Sequence, residues 1–135
     1  MNDEQSKRLS DAADALIQAS DALEEAREAM NDRRFESEQE RDRTQAVQQM
    51  TGKLDGASKK VDDAVRKCTL AAAANGRPGT FNAYKAAGLA VREGRGLARR
   101  SADQDGTAAK KAMANEAMTK IELSLEAAAR IVFGE

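Results

Sequence analysis

The sequence predicts an all-α protein, a four-helix assembly built on a long antiparallel coiled-coil-like hairpin with two shorter helices packed on it. The apolar residues recur at spacings of three, four and seven, which is the helical period. The single Pro of the 135 residues lies with two Gly in 75–80, the clearest break in the chain. Alanine supplies 28 residues, a composition that suits narrow Ala/Leu seams between long helices in a single domain, 1–135.

The first helix is predicted over residues 3–31. Asn2 and Gln5 have the spacing of a capping box, in which each side chain bonds the other residue's backbone N–H. A heptad seam follows, with a large residue at one position and alanine at another. Its members are Leu9, Leu16, Leu23 and Met30, with Ala12, Ala19 and Ala26 offset by three.

The second helix is predicted over residues 38–75, because the first heptad register fails through 31–36 and a new one begins. Ser37 and Glu40 have the spacing of a second capping box. The new seam consists of Val47, Met50, Leu54, Ala57, Val61, Ala64, Cys68 and Ala71.

Gly52 and Gly56 lie four residues apart inside this second helix. They indicate either a close helix crossing or bend, or two weak points that cost about 1 kcal/mol each relative to Ala. We favour the second interpretation.

The third and fourth helices are predicted over residues 80–101 and 107–133. Gly76 is placed to end the second helix in the left-handed conformation, Pro78 prevents its continuation, and Thr80 can cap the next helix. Gly134 is a natural stop after the fourth helix. The fourth seam consists of Ala114, Met118, Ile121, Leu125, Ala128 and Val132.

The composition predicts self-association. Leu, Ile, Val and Phe number only 20 of 135 residues, so a monomer has little apolar area to bury. We expect the chain to gain further stability by forming a homo-oligomer or a complex with another protein. The residues predicted to form the self-association seam are Leu9, Leu16, Leu23, Val61 and Leu125.

The residue types argue against catalysis. The chain has no His, which is the usual general base and a common metal ligand. Cys68 lies on the seam of the second helix, where a buried and inert thiol is expected. We therefore predict a protein that is not an enzyme, with no catalytic residues, no cofactor and no small-molecule substrate.

A metal site is also not expected. Residues 103–106 have part of a calcium-loop pattern, but the closing Glu is replaced by Ala112. The carboxylates of residues 36–42 alternate with arginines and spread over several helix faces. A turn with helix caps accounts for residues 103–106, and a solvated helix start accounts for residues 36–42.

The sequence predicts a cytoplasmic protein that does not bind membranes. One Cys excludes an internal disulfide and fits a reducing compartment. The polar N-terminal residues do not read as a signal peptide, and no run approaches the roughly 20 apolar residues of a membrane span.

The third helix carries the strongest functional signal, a set of cations opposite an alanine-rich arc. Residues 66–100 carry a net charge of +7, whereas residues 1–30 carry −5. Gly88 and Gly96 lie among the cations, where small residues would let a phosphate backbone approach. The tentative polyanion-binding residues are Lys85, Arg92, Arg95, Arg99 and Arg100.

This charge asymmetry has two interpretations. The basic helix either faces outward and binds nucleic acid, or faces the acidic first helix of the bundle or of a neighbouring copy. The pI of about 5.7 and the scarcity of aromatic residues favour the second interpretation. The segment 76–78 also matches the core of a minor-groove AT-hook, but Asn75 stands where that motif has a basic residue.

The function favoured by the sequence is a non-enzymatic assembly, scaffolding or adaptor protein that associates with itself or with a protein partner through Ala/Leu seams. The alternative is a nucleic-acid-binding accessory protein that uses residues 80–100. A third candidate is a small helical protein inhibitor.

Overall fold

The computed structural model describes residues 1–76 and 81–133, apart from the side chains of residues 81–83. Over these residues the chain forms four α-helices and no strand, so the all-α prediction is confirmed. The helices are α1 (Asp3–Met30), α2 (Glu40–Ala74), α3 (Phe81–Ser101) and α4 (Thr107–Phe133), with a 3-10 helix at Arg33–Glu36. Because α4 has 27 residues and α1 has 28, only α3 with 21 is distinctly short.

The capping box predicted at the start of α1 is confirmed. The backbone N of Gln5 donates to Asn2 Oδ1 at 2.9 Å, and the backbone N of Asn2 donates to Gln5 Oε1 at 2.9 Å. These bonds satisfy two backbone N–H groups that lack partners within the helix.

The capping box predicted at the start of α2 is wrong. The N-cap is Gln39, whose side chain makes no cap hydrogen bond. The 3-10 helix takes up part of the chain reversal and ends at Glu36, and the C-cap Ser37 that follows has extended backbone angles. The Ser37 hydroxyl donates to Asp42 Oδ2 at 2.8 Å and accepts from the backbone N of Gln39 at 3.1 Å, so it is not available to Glu40.

The end of α2 has the predicted glycine. Gly76 has φ of +65°, in the left-handed region that glycine adopts without a Cβ clash. The predicted roles of Pro78, Thr80 and Gly134, and the Arg77 and Pro78 of the AT-hook pattern, lie outside the described residues.

Helix α1 runs antiparallel to α2. Gln5 Nε2 donates to the carbonyl of Ala74 at 2.9 Å, at the first turn of α1 and the last turn of α2. Further along, Lys60 donates to Gln18 at 3.4 Å and Lys53 Nζ lies 3.5 Å from Glu25 Oε2.

Helix α3 also runs antiparallel to α2, and α4 returns antiparallel to α3. The Tyr84 hydroxyl donates to the carbonyl of Cys68 at 2.9 Å, while Arg95 Nε lies 3.3 Å from Asp55 Oδ1. The α1–α2 and α3–α4 pairs have the most extensive contacts, and α2 also contacts α4. Because α1 packs against α2 and α4 but not along α3, these two helices occupy opposite corners of the bundle.

The core is narrow because alanine forms much of it. Alanine accounts for 15 of the 29 buried apolar residues in the described part of the chain. Ala12, Ala19 and Ala26 are fully buried, whereas Leu9 and Leu16 flank the contact and are partly buried. Larger side chains, such as Leu54 of α2 and Ile121 of α4, fill the middle of one cluster to which all four helices contribute.

Among the described glycines, the closest approach of another helix is at Gly94 of α3. A Cβ at this position would lie 2.6 Å from Ile121 Cγ1 and 3.1 Å from the carbonyl oxygen of Ala117. At Gly52 and Gly56, by contrast, an added Cβ meets no atom within 4 Å. These two glycines therefore mark no close crossing.

No helix of the described residues is long and apolar enough to cross a membrane.

Alanine substitutions at Gly52 of α2 and Gly94 of α3 should change the free energy of unfolding in opposite directions. Gly52→Ala should raise the free energy of unfolding by about 0.5–1 kcal/mol, because Ala lowers the entropic cost of helix formation and meets open space. Gly94→Ala should lower it, because overpacking costs about 1–3 kcal/mol and exceeds that helix-propensity gain. Urea unfolding of the two variants measures both effects. Equal stabilisation by both would contradict the close α3–α4 contact.

Candidate binding surface on the third helix

The inner face of α3 is held by hydrogen bonds and close packing. Ser124 Oγ of α4 donates to the carbonyl of Ala87 at 2.6 Å, and Tyr84 reaches Cys68 of α2 from the same face. Gly94 lies against Ile121. These contacts fix the rotation of α3 about its axis and so determine which residues face outward.

The outer face of α3 carries cations at heptad spacing. Lys85, Arg92 and Arg99 are exposed and seven residues apart, and Leu89 lies on the same face with 48% of its surface exposed. We call these four residues the basic stripe. Arg100 is exposed beside it. An added Cβ at Gly88 or Gly96 would meet no atom within 4 Å, so the surface at both glycines is open.

Asp55 of α2 neutralises one side of this surface. Its carboxylate lies 3.3 Å from Arg95 Nε, 3.7 Å from Arg99 Nε and 3.1 Å from Lys59 Nζ. Burial alone would raise the pKa of Asp55, but hydrogen bonds from Lys59 and Arg95 outweigh it and hold that pKa below its ordinary value. Arg95 is half-buried in this cluster, whereas Arg99 keeps 64% of its side chain exposed.

The remaining predicted cations have no acidic partner among the described residues. Within the described residues, no ion pair involves Lys85, Arg92 or Arg100. Lys85 and Arg92 border an open cleft of about 350 Å³ between α2 and α3. Arg99 and Arg100 border a second of about 550 Å³ between α3 and α4, where Lys120 pairs with Glu93 at 3.2 Å.

Helix α1 carries a complementary feature at the opposite corner of the bundle. Asp14, Asp21 and Glu28 are exposed and spaced by seven residues, and Ile17 lies on the same face with 60% of its surface exposed. We call these four residues the acidic stripe. No ion pair in the described part of the chain involves its three carboxylates.

The predicted self-association residues lie at contacts within one chain. Leu23 and Val61 are buried in the bundle core. Leu9, Leu16 and Leu125 are partly buried and pack against that core. A second copy could reach Leu23 and Val61 only if the bundle opened, so contacts between copies are expected on the outer faces.

Cys68, the 102–106 segment and the acidic residues are the other candidates for catalysis or metal binding. Cys68 is fully buried, and burial raises the pKa of its thiol to about 11, which keeps it protonated and unreactive near neutral pH. The segment 102–106 forms the α3–α4 turn, in which Gly106 has φ of +83°. The described residues contain no group of three or more His, Cys, Asp or Glu that could hold a metal ion.

Tyr84 does not offer a stacking surface for bases. It is 6% exposed, and its hydroxyl is bonded within the bundle. A base needs an accessible ring face for stacking, so the outer face of α3 can hold an anion only through its cations and backbone.

Sequence reasoning missed two features that matter here. The pairing of Asp55 with Arg95 joins residues 40 positions apart and has no local signal. The acidic stripe could have been found, because its spacing of seven is visible in the sequence.

In comparisons with protein-family models, with curated proteins and with solved structures, the chain has no significant match.

The lowered pKa of Asp55 predicts how stability responds to acid. Because the pKa is depressed in the folded state, the stabilisation is complete above the ordinary value of 3.8 and is lost as pH falls through the lower folded-state value. Asp55→Asn should therefore reduce the melting temperature near neutral pH. Wild type and variant should converge as the pH falls below the ordinary value of 3.8 and the folded-state carboxylate becomes protonated.

The control for this experiment is Asp103→Asn. Asp103 is exposed and has no ion pair among the described residues, so its variant should follow the wild-type pH profile. A constant difference between Asp55→Asn and wild type at every pH would contradict the charge pairing.

Proposed function

We propose that this chain is a non-enzymatic assembly protein that associates with further copies of itself through the charged outer faces of its helical bundle. The observation that carries the proposal is the presence of an exposed basic stripe on α3 and an exposed acidic stripe on α1, at opposite corners of one bundle. Over residues 1–76 and 81–133, no ion pair involves Lys85, Arg92 or the acidic-stripe carboxylates, so these groups can pair with a second copy.

The state of the interior supports a function located at the surface. The core is closed by the chain's own side chains, and no buried side-chain N or O atom in the described part lacks a hydrogen-bond partner. A buried polar group without a partner is costly, and such a group often marks a ligand site. The binding capacity of this bundle is instead concentrated in exposed charge.

The charge distribution favours a protein partner over nucleic acid. The whole chain has a net charge of −1, so a polyanion approaching α3 would also meet the negative field of the rest of the molecule. An acidic helix face needs only local complementarity. The buried position of Tyr84 removes the one described aromatic ring of α3 from base stacking.

Nucleic-acid binding remains the second candidate, and one observation favours it. Lys85, Arg92 and Arg100 are exposed and have no acidic partner in the described part of the chain, and they lie beside the open backbone at Gly88 and Gly96. Such a surface can contact phosphates. No observation specifically favours the protein-inhibitor candidate.

The first experiment measures the molar mass by sedimentation velocity at low and high salt. An exposed ion pair contributes about 0.2–1 kcal/mol, so the association should be weak and is measured up to about 1 mM protein. We expect the mass to rise above 14.5 kDa with concentration at about 50 mM salt and to fall again at about 500 mM, where exposed charges are screened. A constant mass of 14.5 kDa throughout would overturn the proposal.

A matched pair of variants locates the surface. Lys85→Glu combined with Arg92→Glu, the basic-stripe variant, should remain monomeric. Arg33→Glu combined with Arg41→Glu changes the net charge equally at exposed positions off the stripe, so it should associate like wild type. If both variants lose association alike, net charge and not the α3 face is responsible.

The nucleic-acid candidate is tested with a fluorescent DNA duplex. Anisotropy at about 50 and 200 mM salt distinguishes phosphate contacts, whose affinity falls steeply over this range. Salt-sensitive binding that is lost in the basic-stripe variant, together with an unchanged monomeric mass, would move the function to nucleic-acid binding.

A further inference from the structure

We propose that the acidic stripe of one copy docks on the basic stripe of the next, with α1 and α3 parallel, so that copies add head to tail. This inference rests on the proposed function and names its contact surfaces and polarity.

The two stripes have the same repeat. Asp14, Asp21 and Glu28 are spaced by seven residues, and so are Lys85, Arg92 and Arg99. Seven residues of helix rise about 10.5 Å, so three opposite charges can face each other along one helix pair without a change of register. Each stripe also has one exposed aliphatic residue.

The two stripes run in the same direction. Both α1 and α3 are antiparallel to α2, as the contacts of Gln5 with Ala74 and of Tyr84 with Cys68 require. They also overlap along the bundle axis. Lys53 and Lys60 of α2 reach Glu25 and Gln18 of α1, and Asp55, between those two lysines, reaches Arg95 and Arg99 of α3.

A sideways displacement without rotation therefore brings the stripes of two copies together. In parallel register Asp14 lies opposite Lys85, Asp21 opposite Arg92, and Glu28 opposite Arg99. Ile17 then lies level with Gly88 and next to Leu89. An added Cβ at Gly88 would meet no atom within 4 Å, so the surface there has room for the Ile17 side chain. The contact has an aliphatic pair flanked by charges of opposite sign.

The placement of the stripes excludes a closed dimer that uses both of them at once. A two-fold axis through α3 would place the basic stripe on itself, and a two-fold axis through α1 would do the same for the acidic stripe. Like charges facing each other oppose association. Because the stripes lie at opposite corners, a copy that binds through one stripe still offers the other to a third copy.

The test uses two variants that each lose one stripe. The acidic-stripe variant, Asp14→Lys combined with Asp21→Lys, keeps the basic stripe, and the basic-stripe variant keeps the acidic stripe. All four substituted residues are exposed and have no in-chain ion pair among the described contacts, so we expect both variants to fold. Circular dichroism checks the helix content of each.

Sedimentation should show each variant alone as a monomer, with self-association weakened at least tenfold relative to wild type. The equimolar mixture has one intact pair of stripes and one pair with exchanged signs, so it should associate beyond the 1:1 complex. All four substitutions in one chain exchange the signs of the two stripes and should restore association beyond the dimer.

A control separates the loss of the acidic stripe from the change in net charge. Glu38→Lys combined with Glu116→Lys gives the same net charge as the acidic-stripe variant at exposed positions off the stripe. Because this control keeps both stripes, it should self-associate like wild type. A monomeric control would show that net charge, and not the acidic stripe, governs the association, and would overturn the inference.

The outcomes separate this inference from the proposed function. If wild type associates and the acidic-stripe variant does so equally well, the contact lies elsewhere and the head-to-tail inference falls while the assembly function stands. A monomeric mixture of the two stripe variants would likewise overturn it. If wild type itself never associates, the proposed function fails first.

Discussion

Close helix packing through alanine is the constraint on which the rest of this structure depends. Ala12, Ala19 and Ala26 of α1 are fully buried, and alanines of α2 and α4 are buried in the same cluster. A methyl group at a contact position lets two helix backbones approach closely, so a few large side chains are enough to fill the space between them. At Gly94 even a methyl group would collide with Ile121. The chain thus closes a bundle with little apolar area.

This narrow core has a consequence for the surface. Narrow contacts leave a broad arc of each helix facing solvent. Charged residues, which make up 33% of the chain, occupy much of that arc. Most ion pairs join neighbouring positions or adjacent helices, as Arg27 does with both Glu24 and Glu122. The charges of the acidic and basic stripes are not paired in this way, because α1 and α3 do not pack along each other. The two sets of charges therefore cannot neutralise each other within one copy.

The four helices follow from patterns of local spacing, and so does the cap at Asn2, because a helix period and a capping box involve residues three to seven positions apart. The Ser37 cap could not be predicted in the same way. Its hydroxyl had a competing partner in Asp42, and a short 3-10 helix changed the geometry of the chain reversal. The exposed position of Gly52 and the crowded position of Gly94 could also not be distinguished, because both are single glycines inside helical sequence.

The sequence by itself determined the all-α class, the extent of the four helices and the opposite charges of residues 1–30 and 66–100, because each depends on composition or on local spacing. Only the tertiary structure decided which helices are neighbours. As a result of this packing, α1 and α3 lie at opposite corners of the bundle and Asp55 pairs with Arg95 and Arg99. Leu23 and Val61 are buried in the core of the same chain. Heptad patterns specify that a helix packs but not which helix it packs against, because similar seams of alanine and larger apolar residues occur in α1, α2 and α4.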